Sequence, residues 1–155
     1  MEWTTLAGTG LGALIGVGST LLADRVRWRR DAADRDQRDR RDIYVTCLTK
    51  YRLAYEDMHA AATEHRDRDT LDAAVRQAFR TSGCDEARES VLIRAPQELA
   101  DVLEDVYATL RELLEVLALG VPALDSPEFQ EQRLRHGRAV WAARAAMRRD
   151  LERRV

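Results

Sequence analysis

The chain has 155 residues, enough for one domain of ordinary size with a short appendage and too few for a multidomain machine. Apolar residues make up 45% of it and charged residues 34%, and with three prolines and eight glycines this composition favours helices over short strands and turns. The formal net charge of −2 gives no overall basic excess, which argues against a domain dedicated to nucleic-acid binding.

The N-terminal segment, residues 1–23, is predicted to be a transmembrane helix. Residues 3–23 carry no formal charge, and as a helix they would span about 31 Å at about 1.5 Å per residue, close to a bilayer hydrocarbon core. Four arginines follow directly, so the positive-inside rule predicts a single-pass protein of the cell membrane with its N-terminus outside and its C-terminal domain cytoplasmic. A soluble glycine-rich tail is the alternative. The residues expected at the two membrane interfaces are Trp3, Arg25, Arg27, Trp28, Arg29 and Arg30.

Three glycines within this segment predict a surface for helix packing. Gly8, Gly12 and Gly16 recur every four residues and would form one smooth helix face that lets another membrane helix approach closely. The lipid bilayer is therefore one predicted partner, and a second copy of the chain, bound through this face, is another. The alternative is that the glycines are simply tolerated in a membrane helix and hold no partner.

Residues 24–42 form a predicted charged connector. They contain eight arginines and six aspartates, so the segment cannot build an apolar core. Acid-before-base pairs four residues apart favour a solvated helix, each pair contributing a few tenths of a kcal/mol. A flexible polyampholyte is the competing interpretation. The predicted pairs are Asp31 with Arg35, Asp34 with Arg38 and Asp36 with Arg40.

Residues 43–155 are predicted to form an antiparallel bundle of about four helices, each recognised by apolar residues in steps of three and four. A second helical pattern begins near Asp69 and contains Ser82-Gly83, where it either continues to Leu92 or breaks. Ala95-Pro96 separates it from a third helix, which Gly120 and Pro122 end. The first stripe contains Tyr44, Leu48, Tyr51, Tyr55, Met58 and Ala62, and the third contains Leu99, Leu103, Val106, Leu110, Leu113 and Leu117.

The fourth helix is predicted to begin at Ser126-Pro127-Glu128, which combines an N-cap, a first-turn proline and an early acid. Residues 133–155 carry eight arginines, whereas residues 98–115 of the preceding helix carry six acids. An antiparallel hairpin would place these opposite charges side by side. The apolar residues expected on the inner face of the fourth helix are Phe129, Val140, Trp141, Ala145 and either Met147 or Leu151.

No catalytic constellation and no cofactor motif is present in the sequence. Glu56 and His59 have the Glu-x-x-His spacing of di-iron helical bundles, but the second copy and the further glutamates that such a site needs are missing. Cys47 and Cys84 are far apart in sequence, belong to no CxxC pair and are expected to be reduced thiols. No metal ligand set is therefore predicted.

Four stretches of the sequence form a recognisable arrangement: Trp-Thr-Thr-Leu-x-Gly before the glycine-rich span, Leu22-Ala23-Asp24-Arg25-x-Arg27-Trp28 after it, and the stretches that begin at Leu92 and Trp141. The resemblance that they carry is to a group of small, uncharacterised actinobacterial membrane-anchored helical proteins. It implies this architecture and no particular activity. We therefore expect a non-enzymatic scaffold that presents a helical bundle to an unidentified protein partner. The alternatives are a metal-dependent bundle enzyme around Glu56 and His59, and an anionic-lipid or nucleic-acid binder that uses the arginine-rich C-terminal helix.

Overall fold

The computed structural model describes residues 3–64, 67–120 and 124–153, with side chains from residue 24 onward. Within these ranges the chain is helical and contains no strand, which confirms the predicted all-α class. It divides into two compact units, Met1–Asp39 and Arg40–Val155. The helices are α1 (Trp3–Thr63), α2 (Arg68–Thr81), α3 (Cys84–Leu92), α4 (Gln97–Leu117) and α5 (Pro127–Glu152).

The first unit belongs to α1, and the charged segment within it is helical. Arg35 Nε donates a hydrogen bond to the main-chain carbonyl of Asp31 at 3.0 Å, and Arg38 Nε donates one to that of Asp34 at 3.2 Å. At these two predicted pairs the arginine therefore meets the main chain of the aspartate one turn earlier, and not its carboxylate.

The side chains of residues 1–23 lie outside the described part of the structure. They include Trp3 and the glycine face of Gly8, Gly12 and Gly16. Among the residues that are described, no helix is both long and apolar enough to cross a membrane. The predicted transmembrane helix thus receives no support from the structure, and both the anchor and its glycine contact remain predictions.

The second unit is an antiparallel bundle in which α1 and α5 run in opposite directions. The Tyr44 hydroxyl near the start of this unit donates a 2.7 Å hydrogen bond to Asp150 near the end of α5. At the other end, the rings of His59 and Phe129 lie 6.3 Å apart between centroids. The order of these contacts fixes the antiparallel direction.

Ion pairs across the remaining seams complete the topology. Glu112 and Glu98 of α4 meet Arg135 and Arg153 of α5 at 2.7 and 3.3 Å, so the acidic and basic helices lie side by side in opposite directions as predicted. Arg76 of α2 forms an ion pair with Glu115, and Arg88 of α3 forms one with Glu104, which lies earlier in α4. The α2–α3 segment therefore runs antiparallel to α4. The prediction of about four helices is confirmed, with the second divided into α2 and α3.

The break between α2 and α3 falls at the predicted glycine. Gly83 has φ of 74°, in the left-handed region where a residue without Cβ is favoured. Two N-caps define helix starts: Asp67 accepts a hydrogen bond from Thr70 N at 3.0 Å, and Ser126, the predicted cap of the last helix, accepts one from Phe129 N at 3.1 Å.

Buried stripes from all helices of the second unit form one core. The predicted stripe of α4 is buried throughout, and four of the six predicted α1 residues are buried while Leu48 and Tyr55 are half-buried. The periodicity of both helices is therefore confirmed. Among the largest fully buried side chains are Tyr51, Met58, Leu103, Leu110, Leu113 and Leu117.

The predicted inner face of α5 is partly wrong. Phe129 and Met147 are buried, but Trp141 is 69% exposed and Ala145 is exposed. Two polar residues, His136 and Asp150, occupy core positions of this helix. The pattern of apolar residues alone therefore predicts a neighbouring face of α5 as the buried one. The residues of α5 that are buried are Phe129, His136, Ala143, Ala146, Met147 and Asp150.

Candidate functional site

A half-open groove lies between α1 and α5, in the middle of the second unit. Its volume is about 210 Å³. This is smaller than a typical drug-sized pocket of about 300–1,000 Å³. It exceeds the roughly 150 Å³ cavity that accepts a benzene ring. Hereafter it is called the α1/α5 groove. It is lined by Leu48, Tyr51, Arg52, Tyr55, His136, Gly137, Val140, Trp141 and Arg144.

The α1 wall of the groove is formed by consecutive turns of the predicted stripe. Leu48, Tyr51 and Tyr55 are spaced three and four residues apart, so they project from the same side of the helix. Tyr51 is 1% exposed and belongs to the core, whereas Leu48 and Tyr55 are only half-buried and face the opening. The hydroxyl of Tyr55 makes no hydrogen bond to any residue that the structure describes.

The α5 wall contains the glycine that leaves the groove open. A Cβ placed on Gly137 would meet no atom within 4 Å, so this position opens onto free space although it lies in mid-helix. One turn later, Trp141 projects outward and is 69% exposed. The Arg144 guanidinium carbon lies 5.7 Å from the Trp141 ring centroid, within the range of a cation–π contact. The rim therefore combines an exposed aromatic ring with a positive charge.

His136 forms the inner part of the groove, where α5 contacts α4. The Thr109 hydroxyl donates to the main-chain carbonyl of Val106 at 2.9 Å, which leaves its oxygen to accept a 2.9 Å hydrogen bond from His136 Nδ1. Burial lowers the pKa of His136 below its ordinary value of 6.5. At pH 7 the ring is therefore neutral.

The charge around the groove is positive. Arg52 Nε lies 3.5 Å from Glu56 Oε1, but both side chains are more than half exposed, so this pair contributes little to stability. Burial raises the pKa of Tyr55, and the nearby positive charge of Arg133 opposes that rise. Arg52 and Arg144 line the groove and Arg133 lies near Tyr55, and of these three only Arg52 has a carboxylate partner, Glu56, among the described residues.

A second polar cluster closes the α1/α5 seam at the end of α5. Asp150 is 7% exposed; its Oδ2 accepts the Tyr44 hydrogen bond and lies 3.7 Å from an Arg40 guanidinium nitrogen. Burial and the adjacent Asp150 carboxylate raise the pKa of Tyr44 to about 12. The Tyr44 hydrogen bond and the ion pair with Arg40 hold α1 and α5 together at this end.

The proposed metal-ligand pair of the sequence is not extended by other ligands in the structure. Glu56 contacts Arg52, and the His59 ring lies 5.9 Å from the Tyr55 ring and 6.3 Å from the Phe129 ring. Over the described ranges no group of three or more His, Cys, Asp or Glu residues could hold a metal ion.

The two cysteines are free thiols in the core. Burial raises the pKa of Cys47 to about 11 and also raises that of Cys84. Both thiols are protonated at neutral pH and are poor nucleophiles. The predicted membrane-interface residues Arg25, Arg27, Trp28, Arg29 and Arg30 are exposed on the first unit, and the structure brings none of them into the groove.

The sequence contained a signal for the groove that apolar periodicity does not use. An isolated glycine inside a helical pattern costs helix stability relative to alanine. Gly137 is such a glycine, and it lies four residues before Trp141.

No family model matches the chain, and comparison with curated proteins and with solved structures finds no match either.

Proposed function

We propose that this chain is a non-enzymatic interaction protein, and that the α1/α5 groove is the surface through which its helical bundle binds a protein partner. The observation that carries the proposal is the exposed Trp141 beside an open, largely apolar groove. Tryptophan, tyrosine and arginine are the residues most enriched at interaction hot spots, and all three types line this groove.

A membrane location is the second part of the proposal and rests on the sequence. The uncharged residues 3–23 precede a cluster of arginines, which supports a single-pass anchor with the bundle in the cytoplasm. Flotation of membranes from cells that make the full chain tests it. We expect Leu14→Arg to release the protein from the membrane fraction, because a charge at mid-bilayer is costly. Membrane association that is unchanged by Leu14→Arg would contradict the anchor.

A photo-crosslinking amino acid tests the interaction surface in intact cells. Placed at Ala145, an exposed residue one turn after Trp141, it leaves the groove residues intact and should give a discrete adduct with one protein. Placed at Arg94, an exposed residue in the turn between α3 and α4, it should not. The same pattern of adducts from both positions, or no adduct from position 145, would rule out the groove as the interaction surface.

One alternative function is favoured by a specific observation on α5. Arg138, Arg148 and Arg149 are exposed on this helix and have no ion pair with any described residue. Such a surface could attract phosphate groups of anionic lipids or nucleic acid. Salt-sensitive binding of the purified chain to nucleic acid that is lost in a triple Arg→Ala variant of these positions would support the alternative. Binding to nucleic acid that does not depend on salt concentration would exclude this alternative.

A further inference from the structure

The shape of the α1/α5 groove sets the size of the group that it can accept. Its volume of about 210 Å³ fits one large apolar side chain and is too small for a drug-sized molecule. Lipid acyl chains need a long channel, whereas this opening is bounded by two turns of each helix, between residues 48–55 and 136–144. The geometry therefore suits a single inserted side chain.

The backbone of α5 is accessible beside the groove. Because Gly137 has no side chain and no neighbour within 4 Å of a built Cβ, another main chain can approach α5 closely there. Trp141 lies one turn away and offers a large, rigid contact surface. This combination is typical of an amphipathic helix that lies in a groove and inserts an anchor residue.

The rim charges determine the chemistry of that helix. Arg144 and Arg133 are exposed and have no carboxylate partner among the described residues, and Arg52 shares only the weak pair with Glu56. Opposite charges across an interface increase the association rate and reject partners of the same sign. A second copy of α5 would bring arginines against arginines, which disfavours self-association through this surface.

From the groove volume, the open Gly137 backbone and the arginine rim, we propose that the α1/α5 groove binds an acidic amphipathic helix that inserts one large apolar side chain beside Trp141. This inference rests on the proposed function, since it names the chemistry of the partner bound at the same site. It makes Gly137 the position of closest helix approach and Arg144 the principal charged contact.

Fluorescence anisotropy with the full chain and labelled synthetic peptides tests the proposal. The probe is a helical peptide of about 18 residues, long enough to form a helix in water, with a central phenylalanine flanked by glutamates three and four positions away. We expect it to bind, with about tenfold weaker binding when phenylalanine becomes alanine, as for a hot-spot residue. Replacing the glutamates by lysines should abolish binding.

Two pairs of protein variants locate the binding. Gly137→Leu fills the groove and should weaken peptide binding about tenfold or more, while Gly137→Ala, which adds one methyl group to open space, should change it little. Arg144→Glu should weaken binding more than Arg94→Glu, which changes the net charge equally at the α3–α4 turn.

Three results would overturn the proposal. The first is equal binding of the acidic and lysine peptides, and the second is binding that is unaffected by Gly137→Leu. The third is Gly137→Leu-sensitive binding to phosphatidylglycerol vesicles with no peptide binding, which would assign the groove to a lipid surface. The proposed function fails separately: if crosslinking from position 145 captures a partner but no acidic peptide binds, the groove is an interaction surface and only the acidic helix is wrong.

Discussion

The second unit buries apolar residues in two different ways. On α4, Leu103, Leu110 and Leu113 are fully buried, because α2, α3 and α5 all pack around this helix. On the seam between α1 and α5, Leu48 and Tyr55 are only half-buried, although they follow the same period of three and four. Periodicity thus determines which side of a helix faces inward, and the neighbouring helix determines whether that side is closed.

The seam itself differs from one end to the other. Near the end of α5, Asp150 accepts a hydrogen bond from Tyr44 and the two helices are closed together. Two to four turns earlier, Gly137 provides no side chain and Trp141 points outward, so the seam opens. The groove therefore lies where α5 has both a glycine and an outward-pointing tryptophan, in an otherwise packed bundle.

The largest loss of stability is expected from a substitution in the closed core around α4. Leu110→Ala removes a fully buried side chain and should lower the free energy of unfolding by about 3 kcal/mol, through lost transfer energy and the remaining cavity. Leu134→Ala makes the same change at a side chain that is 62% exposed, and should cost less than about 0.5 kcal/mol. Urea unfolding measures both. Equal losses would mean that the α4 side is no better packed than the surface of α5.

The closed end of the seam should show the next largest effect. Asp150→Ala leaves the Tyr44 hydroxyl buried without its acceptor and should lower the free energy of unfolding by about 2 kcal/mol. Asp105→Ala, at an exposed aspartate of α4, is the matched control and should stay within about 0.5 kcal/mol of the wild type. A similar loss in both variants would show that the Tyr44 and Asp150 contact does not hold the seam.

The bundle could be predicted from the sequence because its helices are marked by independent signals that agree. The stripe on α4 and the Ser126 cap each specify one local feature, and both are present in the structure. The acidic and basic helices were also correctly paired, since opposite charges on adjacent helices favour contact. Local rules of this kind need no knowledge of distant residues.

The groove could not be predicted because it depends on which residues of α5 face α1. Apolar periodicity predicts Trp141 on the inner face, whereas its side chain is 69% exposed. The actual register includes His136 and Asp150, whose polar atoms are satisfied by Thr109 and Tyr44 across the bundle. Such long-range partners are invisible to a periodicity argument, and the stripe shifts once they are counted.

The stability of the protein should depend on pH through His136, in the inner part of the groove. Because burial lowers the pKa of His136 in the folded state, the unfolded chain binds more protons just below pH 6.5. Stability from this group is fully present above pH 6.5 and falls as the pH drops towards the folded-state pKa. The slope is at most about 1.4 kcal/mol per pH unit for a single proton.

His136→Gln removes this proton and should flatten the acid side of the stability curve between pH 6.5 and 5. His59→Gln, at a half-buried histidine of α1, is the matched control for the same chemical change. The measurement is the urea midpoint as a function of pH. If the His136→Gln curve keeps the wild-type slope, His136 is not held neutral by its position between α4 and the groove.

The smallest change in stability is expected at Gly137, and it can be compared with the same substitution at Gly83, where the backbone conformation favours glycine. Gly137→Ala should stabilise the protein by about 0.5–1 kcal/mol, because alanine favours the helix and its Cβ meets no atom within 4 Å. Gly83→Ala should destabilise it by about 1–2 kcal/mol, because φ of 74° is a conformation that alanine rarely adopts. Thermal unfolding of the two variants compares the same chemical change at both positions. A stabilising Gly137→Ala would mean that this glycine lowers the stability of the bundle, as expected if the open groove is kept for binding. A destabilising Gly137→Ala would mean that the seam is already closed around this position.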